Sequence, residues 1–237
     1  MKVSIILPTY NESGNIVELI HEIIPKIPKD WEYEIIVVDD NSPDGTYEKV
    51  KDVFMKNEHV VPVLRTKDRS FGRAIRAGIE LARGEQLIVM DADFTHDPVE
   101  IPKLLQVSKT YDIVSGSRFC SGGSMMDVKH YIASMLYNLF LRLLLRTQIQ
   151  DNLGGYYTIK KTKIMQLPLD HIYYGYGDCV FRFFHFAKCR KMTIVEIPAI
   201  YRRRHAGFSK SNFLKLLFHY TLAAFRLKFD RSAKNAA

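Results

Sequence analysis

The strongest chemical feature of the sequence is Met90-Asp91-Ala92-Asp93-Phe94-Thr95-His96-Asp97-Pro98, which directly follows an apolar run. Two carboxylates two positions apart at the end of a strand can both face one hard cation and the phosphate oxygens it carries. Magnesium takes few protein carboxylates and keeps positions for phosphate and water. The plainer reading is a solvated acidic turn in which Asp97 caps the helix beginning at Pro98. A DxD triplet alone is weak, and its place just past a strand is what gives it weight.

Two further clusters have the same setting. Asp39-Asp40-Asn41-Ser42-Pro43-Asp44-Gly45 ends a second apolar run. Asp39 and Asp44 suit a turn organised by Asx hydrogen bonds, which leaves Asp40 for a ligand. Leu7-Pro8-Thr9-Tyr10-Asn11-Glu12 ends a third run, with Pro8 fixing the loop, Tyr10 offering a stacking face and Glu12 an acceptor. Together these suit a nucleobase.

The elements that must position these loops alternate. Lys2–Leu7, Glu34–Val38, Val60–Leu64, Gln86–Met90 and Asp112–Ser115 read as strands. Between them, Ser13–Ile27 (with Ser13 as cap), Thr46–Phe54, Ala74–Ala82 and the segment after Pro98 read as helices. Alternation of this kind predicts an α/β fold, a mostly parallel sheet wrapped on both faces, with ligands at the carboxyl ends of the strands. Acidic ends of two strands on one rim repel unless a cation or a base or ribose donor group lies between them. Beyond residue 120, Lys129–Arg146, Asp178–Cys189 and Asn212–Phe229 read as helices and Tyr156–Ile159 as a strand. Thr193–Tyr201 reads as a strand at an edge or bulge because of Pro198. No internal repeat or linker interrupts the 237 residues.

Composition narrows the classes. A 47% hydrophobic, 25% charged chain with 14 Phe and 13 Tyr is not disordered. Three Cys without a CxxC pair exclude a disulfide framework and a thiolate zinc site, and point to a reducing compartment. The first apolar run is too short for a signal-peptide core, and Tyr131–Leu145 is shorter than the ~20 residues of a membrane span. The net charge of +8 is concentrated: residues 188–237 hold 12 Lys/Arg against 2 Asp/Glu. A basic C-terminal fifth on a near-neutral body suits an anionic partner. GxGxxG and P-loop patterns are missing, and no helix-turn-helix or RRM-like motif supports nucleic-acid binding.

PTYNE, VVDDNSPDG, MDADFTHDP and VSGSR at Val114–Arg118, in this order, resemble family 2 glycosyltransferases of GT-A fold. Among these, the chain resembles the dolichol-phosphate mannose synthases and related polyprenyl-phosphate sugar transferases over about residues 1–210. The resemblance implies a GDP- or UDP-linked sugar donor, Mg²⁺ or Mn²⁺, inversion at the sugar carbon and a GT-A domain over residues 1–210. Residues 211–237 would form a basic amphipathic helix and tail. By motif matching, Pro8, Tyr10, Glu12, Val38 and Asp40 would hold base and ribose. Asp91, Ala92 and Asp93 would line the diphosphate, with Asp91, Asp93 and Thr95 as metal ligands. Arg118 would contact phosphate, and Arg204, Gly207, Ser209 and Lys210 match an RxxGxSK segment that closes over the donor. Fixed cations and a metal would stabilise charge on the leaving diphosphate.

The acceptor decides the rest of the mechanism. A polyprenyl phosphate is already an anion and needs no general base; a hydroxyl on a glycan needs one. Asp151 and Asp178 are the two candidates for that base. Asp151 opens a segment like the family's D-x-x-S-G-F, with Gly154 in place of the serine. Asp178 follows the Gly/Tyr-rich loop Tyr174–Gly177 and also fits a helix cap. The family's acidic residue in the next helix is replaced near Phe181, and Lys129-His130 stand where those enzymes carry Arg. A non-catalytic nucleotide-sugar or interaction module is the reading of a different class. Tyr131–Leu145 and the C-terminal helix mix large apolar with basic residues, which predicts a peripheral position on the cytosolic face of a membrane. A separate membrane subunit would be a further partner.

Overall fold

A computed structural model describes residues 1–126, 128–203 and 213–230. The strands are β1 (Lys2–Thr9), β2 (Glu32–Asp39), β3 (Val60–Leu64), β4 (Gln86–Val89), β5 (Ile113–Ser117), β6 (Ser124–Met125), β7 (Tyr157–Lys160), β8 (Ile194–Pro198) and β9 (Ile200–Tyr201). The helices are α1 (Ile16–Ile23), α2 (Thr46–Val53), α3 (Phe71–Leu81), α4 (Ile101–Val107), α5 (Val128–Leu145), α6 (Lys161–Ile164), α7 (Leu169–Ile172), α8 (Asp178–Cys189) and α9 (Phe213–Phe229). Short 3-10 turns precede α4 and follow α1.

Seven strands form one sheet in the order β3-β2-β1-β4-β7-β5-β8, parallel except for β7. A mostly parallel α/β sheet is what the alternation predicts. The chain runs outward from β1 through β2 to β3, then returns to place β4 on the other side of β1. That reversal opens a crevice at the carboxyl ends of β1 and β4, where ligands of such sheets collect.

Alternate residues of each strand feed two cores. Val3, Ile5 and Leu7 pack with α1, α2 and α4 on one face. Ile6, Ile36 and Val38 pack with α3, α5, α8 and α9 on the other. Glycine is required where α3 crosses the sheet: a Cβ on Gly78 would lie 2.4 Å from the Ile6 side chain. Pro198 ends β8, which among the described residues pairs with β5 alone at the sheet edge, as a proline strand should.

Both ends of the first helix differ from expectation. The first helix begins at Ile16 with Asn15 as cap; Ser13 remains in the loop, its N–H donating to Asp44 Oδ2 at 3.0 Å. Its regular part ends at Ile23 because Pro25 cannot supply the next helical N–H, and the chain continues as a 3-10 turn.

On α8, burial, with Lys188 and Lys228 adding to it, pushes the His185 imidazole from about 6.5 down to about 4. The folded state therefore holds fewer protons than the unfolded state between these values, and stability falls as pH drops from 6.5 toward 4. Between pH 7 and pH 5 the loss is on the order of 1–2 kcal/mol. His185→Leu should narrow the melting-temperature gap between those pH values. An unchanged gap would show that His185 is not the titrating group.

Candidate active site

The loop after β4 is held from behind. Met90 N–H donates to Ile6 O at 3.2 Å, which extends the parallel ladder to the start of the acidic motif. Asp93 is buried, and its Oδ1 accepts from Thr95 N–H at 3.0 Å and Thr95 Oγ1 at 2.6 Å. Between them Phe94 adopts a left-handed φ of 66° and buries its ring in the core. A bulky residue in that region is strained, and the packing around it must hold it there. Asp97 caps the turn after it by accepting from Val99 N–H at 3.0 Å, as the plainer reading of the motif expected.

His96 has the same holding role. Its Nδ1 accepts from Asp91 N–H at 2.8 Å, and its Nε2 lies 3.7 Å from Asp91 Oδ2. The ring is stacked on Tyr156 (centroids 5.0 Å apart) and edge-on to Tyr201 (4.7 Å). Burial pushes this imidazole well down, so it is neutral, and the bond at Nδ1 puts its proton on Nε2, toward Asp91. His96 was visible inside the motif, but its function depends on Tyr156 and Tyr201, which only the fold brings to it. Arg202 braces the loop from the other side: its guanidinium donates to Asp97 Oδ2 at 2.6 Å and its N–H to Thr95 O at 3.0 Å.

The loop after β2 keeps Asp39 and Asp44 for its turn, and Asp40 stands beside them at 5% exposure. Asp39 accepts from Thr9 Oγ1 at 2.9 Å and from Ser42 N–H at 2.8 Å. Asp44 accepts from Thr46 N–H at 3.1 Å and Ser13 N–H at 3.0 Å. Asn11 and Asn41 take φ of 58° and 56°, conformations that asparagine tolerates. Asp40, next to Asp39, pairs with Arg65; burial raises its carboxyl and the guanidinium opposes that shift. Tyr10 is exposed, with the Arg69 guanidinium 5.9 Å from its ring centre.

These loops open onto one cavity of about 740 Å³. Pro8, Tyr10, Glu12 and Asp40 line one end, with Arg69 and Phe71 opposite them from the loop before α3 and its first residue. Asp91, Ala92 and Asp93 line its middle, beside Gly155. A Cβ on Gly155 would lie 3.4 Å from His96 and 3.9 Å from Asp91. Leu153, Tyr176, Val180, Leu216 and His219 line it as well.

Several expected residues lie elsewhere. Val38 is fully buried in the sheet, with its side chain toward α3, and does not line the cavity. Thr95 sits behind Asp93 as its hydrogen-bond donor. Arg118, expected at a phosphate, is 7% exposed here and does not line the cavity. Its Nε and Nη2 donate to the two oxygens of Asp151 at 2.8 and 2.7 Å, and Tyr201 covers its face at 4.8 Å. Asp151 is fully buried in the same pair, which removes it as a candidate base. Asp178 pairs with Arg182 and accepts from Tyr176 N–H at 3.0 Å. Its carboxylate lines a second cavity, of about 710 Å³, between α8 and α9, and not the first. Gly207, Ser209, Arg204 and Lys210 lie outside the described residues, as does the side chain of Lys129.

Carboxylates on a cavity wall suit a hard divalent cation. Among the described residues no group of three or more His, Cys, Asp or Glu could enclose an ion. Asp91 and Asp93 therefore fit Mg²⁺ or Mn²⁺ held jointly with a diphosphate, and do not fit an all-protein metal cage.

A sequence profile of glycosyl transferase family 2 matches residues 4–168. The dolichol-phosphate mannosyltransferase of Pyrococcus furiosus is 34% identical over 234 residues, which cover 96% of this chain. The chain spans only 64% of that enzyme's length. The undecaprenyl-phosphate mannosyltransferase of Micrococcus luteus is 34% identical over 216 residues, covering 89% of this chain and 87% of that one. The polyprenol monophosphomannose synthase of Mycolicibacterium smegmatis is 31% identical and covers 96% and 89%. The backbone resembles crystal structures of glucosyl-3-phosphoglycerate synthase from Mycobacterium tuberculosis. One of these, in complex with Mn²⁺, uridine diphosphate and glucosyl-3-phosphoglycerate, has a TM-score of 0.71 at 17% identity and covers 96% and 79%.

Proposed function

The chain belongs to glycosyl transferase family 2 and is a glycosyltransferase of GT-A fold, and from that premise we propose that it transfers one hexose from a GDP- or UDP-linked donor to a polyprenyl phosphate. Mannose is the sugar in the relatives' names, and in this reading a single displacement inverts the anomeric carbon. The observation that carries this reading is where the carboxylates lie. Those lining the main cavity come from the loops after β1, β2 and β4, and the walls from α8 and α9 contribute none among the described residues. An acceptor at the α8 and α9 wall of this cavity meets no carboxylate among the described residues, and a phosphate oxygen needs no general base.

In this reading Tyr10, Glu12 and Asp40 hold the nucleoside, with Pro8 shaping the loop. Asp91 and Asp93 face the diphosphate, their loop braced by His96 and Thr95. A divalent cation, when bound, neutralises charge on the diphosphate. The bond from the anomeric carbon to the β-phosphate oxygen breaks, its electron pair leaves with the nucleoside diphosphate, and the acceptor phosphate oxygen bonds to that carbon. No proton is transferred. Arg204 and Lys210 would close over the donor.

We also place the enzyme at the cytosolic surface of a membrane. Ile132, Leu136, Leu139 and Leu143 form one exposed face of α5. Phe218, Leu222, Phe225 and Phe229 form an exposed face of α9, and the two helices touch through Phe140 and Phe225. Among the described residues no helix is long and apolar enough to cross a membrane. Such faces suit the interfacial zone, with basic residues of the 211–237 segment on anionic head groups.

The test is transfer from labelled GDP-mannose, and from UDP-glucose in parallel, to a polyprenyl phosphate in vesicles with Mn²⁺. The expected product is a sugar-phosphate lipid, lost when EDTA is added. Transfer to a saccharide hydroxyl with none to the lipid phosphate would overturn the acceptor assignment.

A further inference from the structure

The wall of the main cavity contributed by α8, α9 and the segments before them carries two polar side chains, Tyr176 and His219. Leu153, Val180 and Leu216 present hydrocarbon, and His219 on α9 presents an imidazole. An anionic acceptor head cannot be left unpaired against such a wall, because burying a charge without a partner is costly. The buried guanidinium groups of the neighbouring elements are already taken. Arg118 is bonded to Asp151, and Arg182 to Asp178 and to the carbonyls of Ile172 and Tyr174.

His219 also lines the second cavity, so it stands where the two meet. Leu222, Ala223, Arg226 and Leu227 continue that second wall from the same face of α9, at helical three- and four-residue spacing. Leu222 and Phe229 both line the second cavity and belong to the exposed apolar face. A lipid lying along α9 thus has hydrocarbon contacts at Leu222 and Phe229, beside the charged Asp178, Arg226 and Asp230 of the same cavity, and they lead to His219 where the two cavities meet.

We infer that His219 binds the phosphate of the acceptor and sets it against the donor sugar. This rests on the polyprenyl-phosphate reading above and adds a residue to it. An imidazole carries at least one N–H in either protonation state, so it can donate to a phosphate oxygen throughout the neutral range. No covalent step passes through it: His219 holds the nucleophile and does not take its proton. The side chain is exposed, so replacing it does not disturb the core.

The experiment is steady-state kinetics of full-length wild type, His219→Leu and His219→Gln with a polyprenyl phosphate in vesicles, alongside calorimetric titration of GDP and UDP with Mn²⁺. His219→Leu should raise the acceptor KM about 10- to 100-fold, the range for losing a hydrogen bond to a charged group. Nucleotide affinity should be unchanged, and His219→Gln, which keeps an N–H donor, should recover most of the loss. A purely structural role for His219 would move both affinities together and give no rescue by Gln, and that outcome overturns the inference. An unchanged acceptor KM in His219→Leu overturns it as well, while wild-type transfer leaves the polyprenyl-phosphate reading standing. Wild-type protein that does not use a polyprenyl phosphate at all overturns both.

Discussion

Asp93→Asn is expected to reduce sugar transfer by at least about 10³-fold while leaving the protein folded. Asp93 is 4% exposed and lines the cavity, and Thr95 fixes its Oδ1 through two hydrogen bonds. An asparagine oxygen at the same place still accepts from Thr95, so the loop keeps its shape and only the negative charge is lost. That charge is what a divalent cation and a diphosphate require of the wall. The melting temperature should therefore stay within a few degrees, and nucleoside diphosphate affinity should no longer depend on Mn²⁺. Asp93→Ala should abolish turnover too, with an added stability cost of about 1–3 kcal/mol for the donors of Thr95 left without their acceptor. Normal turnover by Asp93→Asn would remove this carboxylate from the site.

The second large effect is on stability. Arg118→Met should lower the melting temperature by roughly 6–20 °C. The estimate combines about 3–5 kcal/mol for breaking a buried ion pair with about 2–4 °C per kcal/mol in a chain of this size. Asp151 has no exposed surface, and without the guanidinium it would keep a buried charge with only the Arg118 backbone N–H at 3.1 Å. Arg118→Met combined with Asp151→Leu should recover much of the loss, since removing both charges leaves no orphan. A phosphate contact at Arg118 predicts the reverse pattern: weaker nucleotide binding with stability intact. Measuring melting temperature and nucleotide affinity on the same variant separates the two.

Both effects show how far the sequence could be read. Asp91 and Asp93 stood out because two carboxylates directly after an apolar strand have few roles other than holding a cation or capping a turn. The strand periodicity of Lys2–Leu7 and Glu34–Val38 likewise put Tyr10, Glu12 and Asp40 on the same rim, where the structure has them. Arg118 follows its strand in the same way, yet the structure has it in a buried pair and not on the cavity wall. Its partner Asp151 comes from a segment whose position cannot be read from local pattern.

What the residues themselves determined is the parallel α/β sheet, its acidic rim and the turn roles of Asp39, Asp44 and Asp97. These follow from short-range periodicity and hydrogen bonding within a few residues. The tertiary structure alone decided what stands behind and opposite that rim. β7 runs antiparallel between β4 and β5, with Val89 paired to Tyr157, so its amino end lies at the carboxyl ends of its neighbours. That reversal carries Asp151 to Arg118, Tyr156 to His96 and Gly155 to the cavity wall. The packing of α9 on α5 and α8 then brings His219 to the same opening. Strand direction and helix docking are set by long-range burial, which no local spacing records.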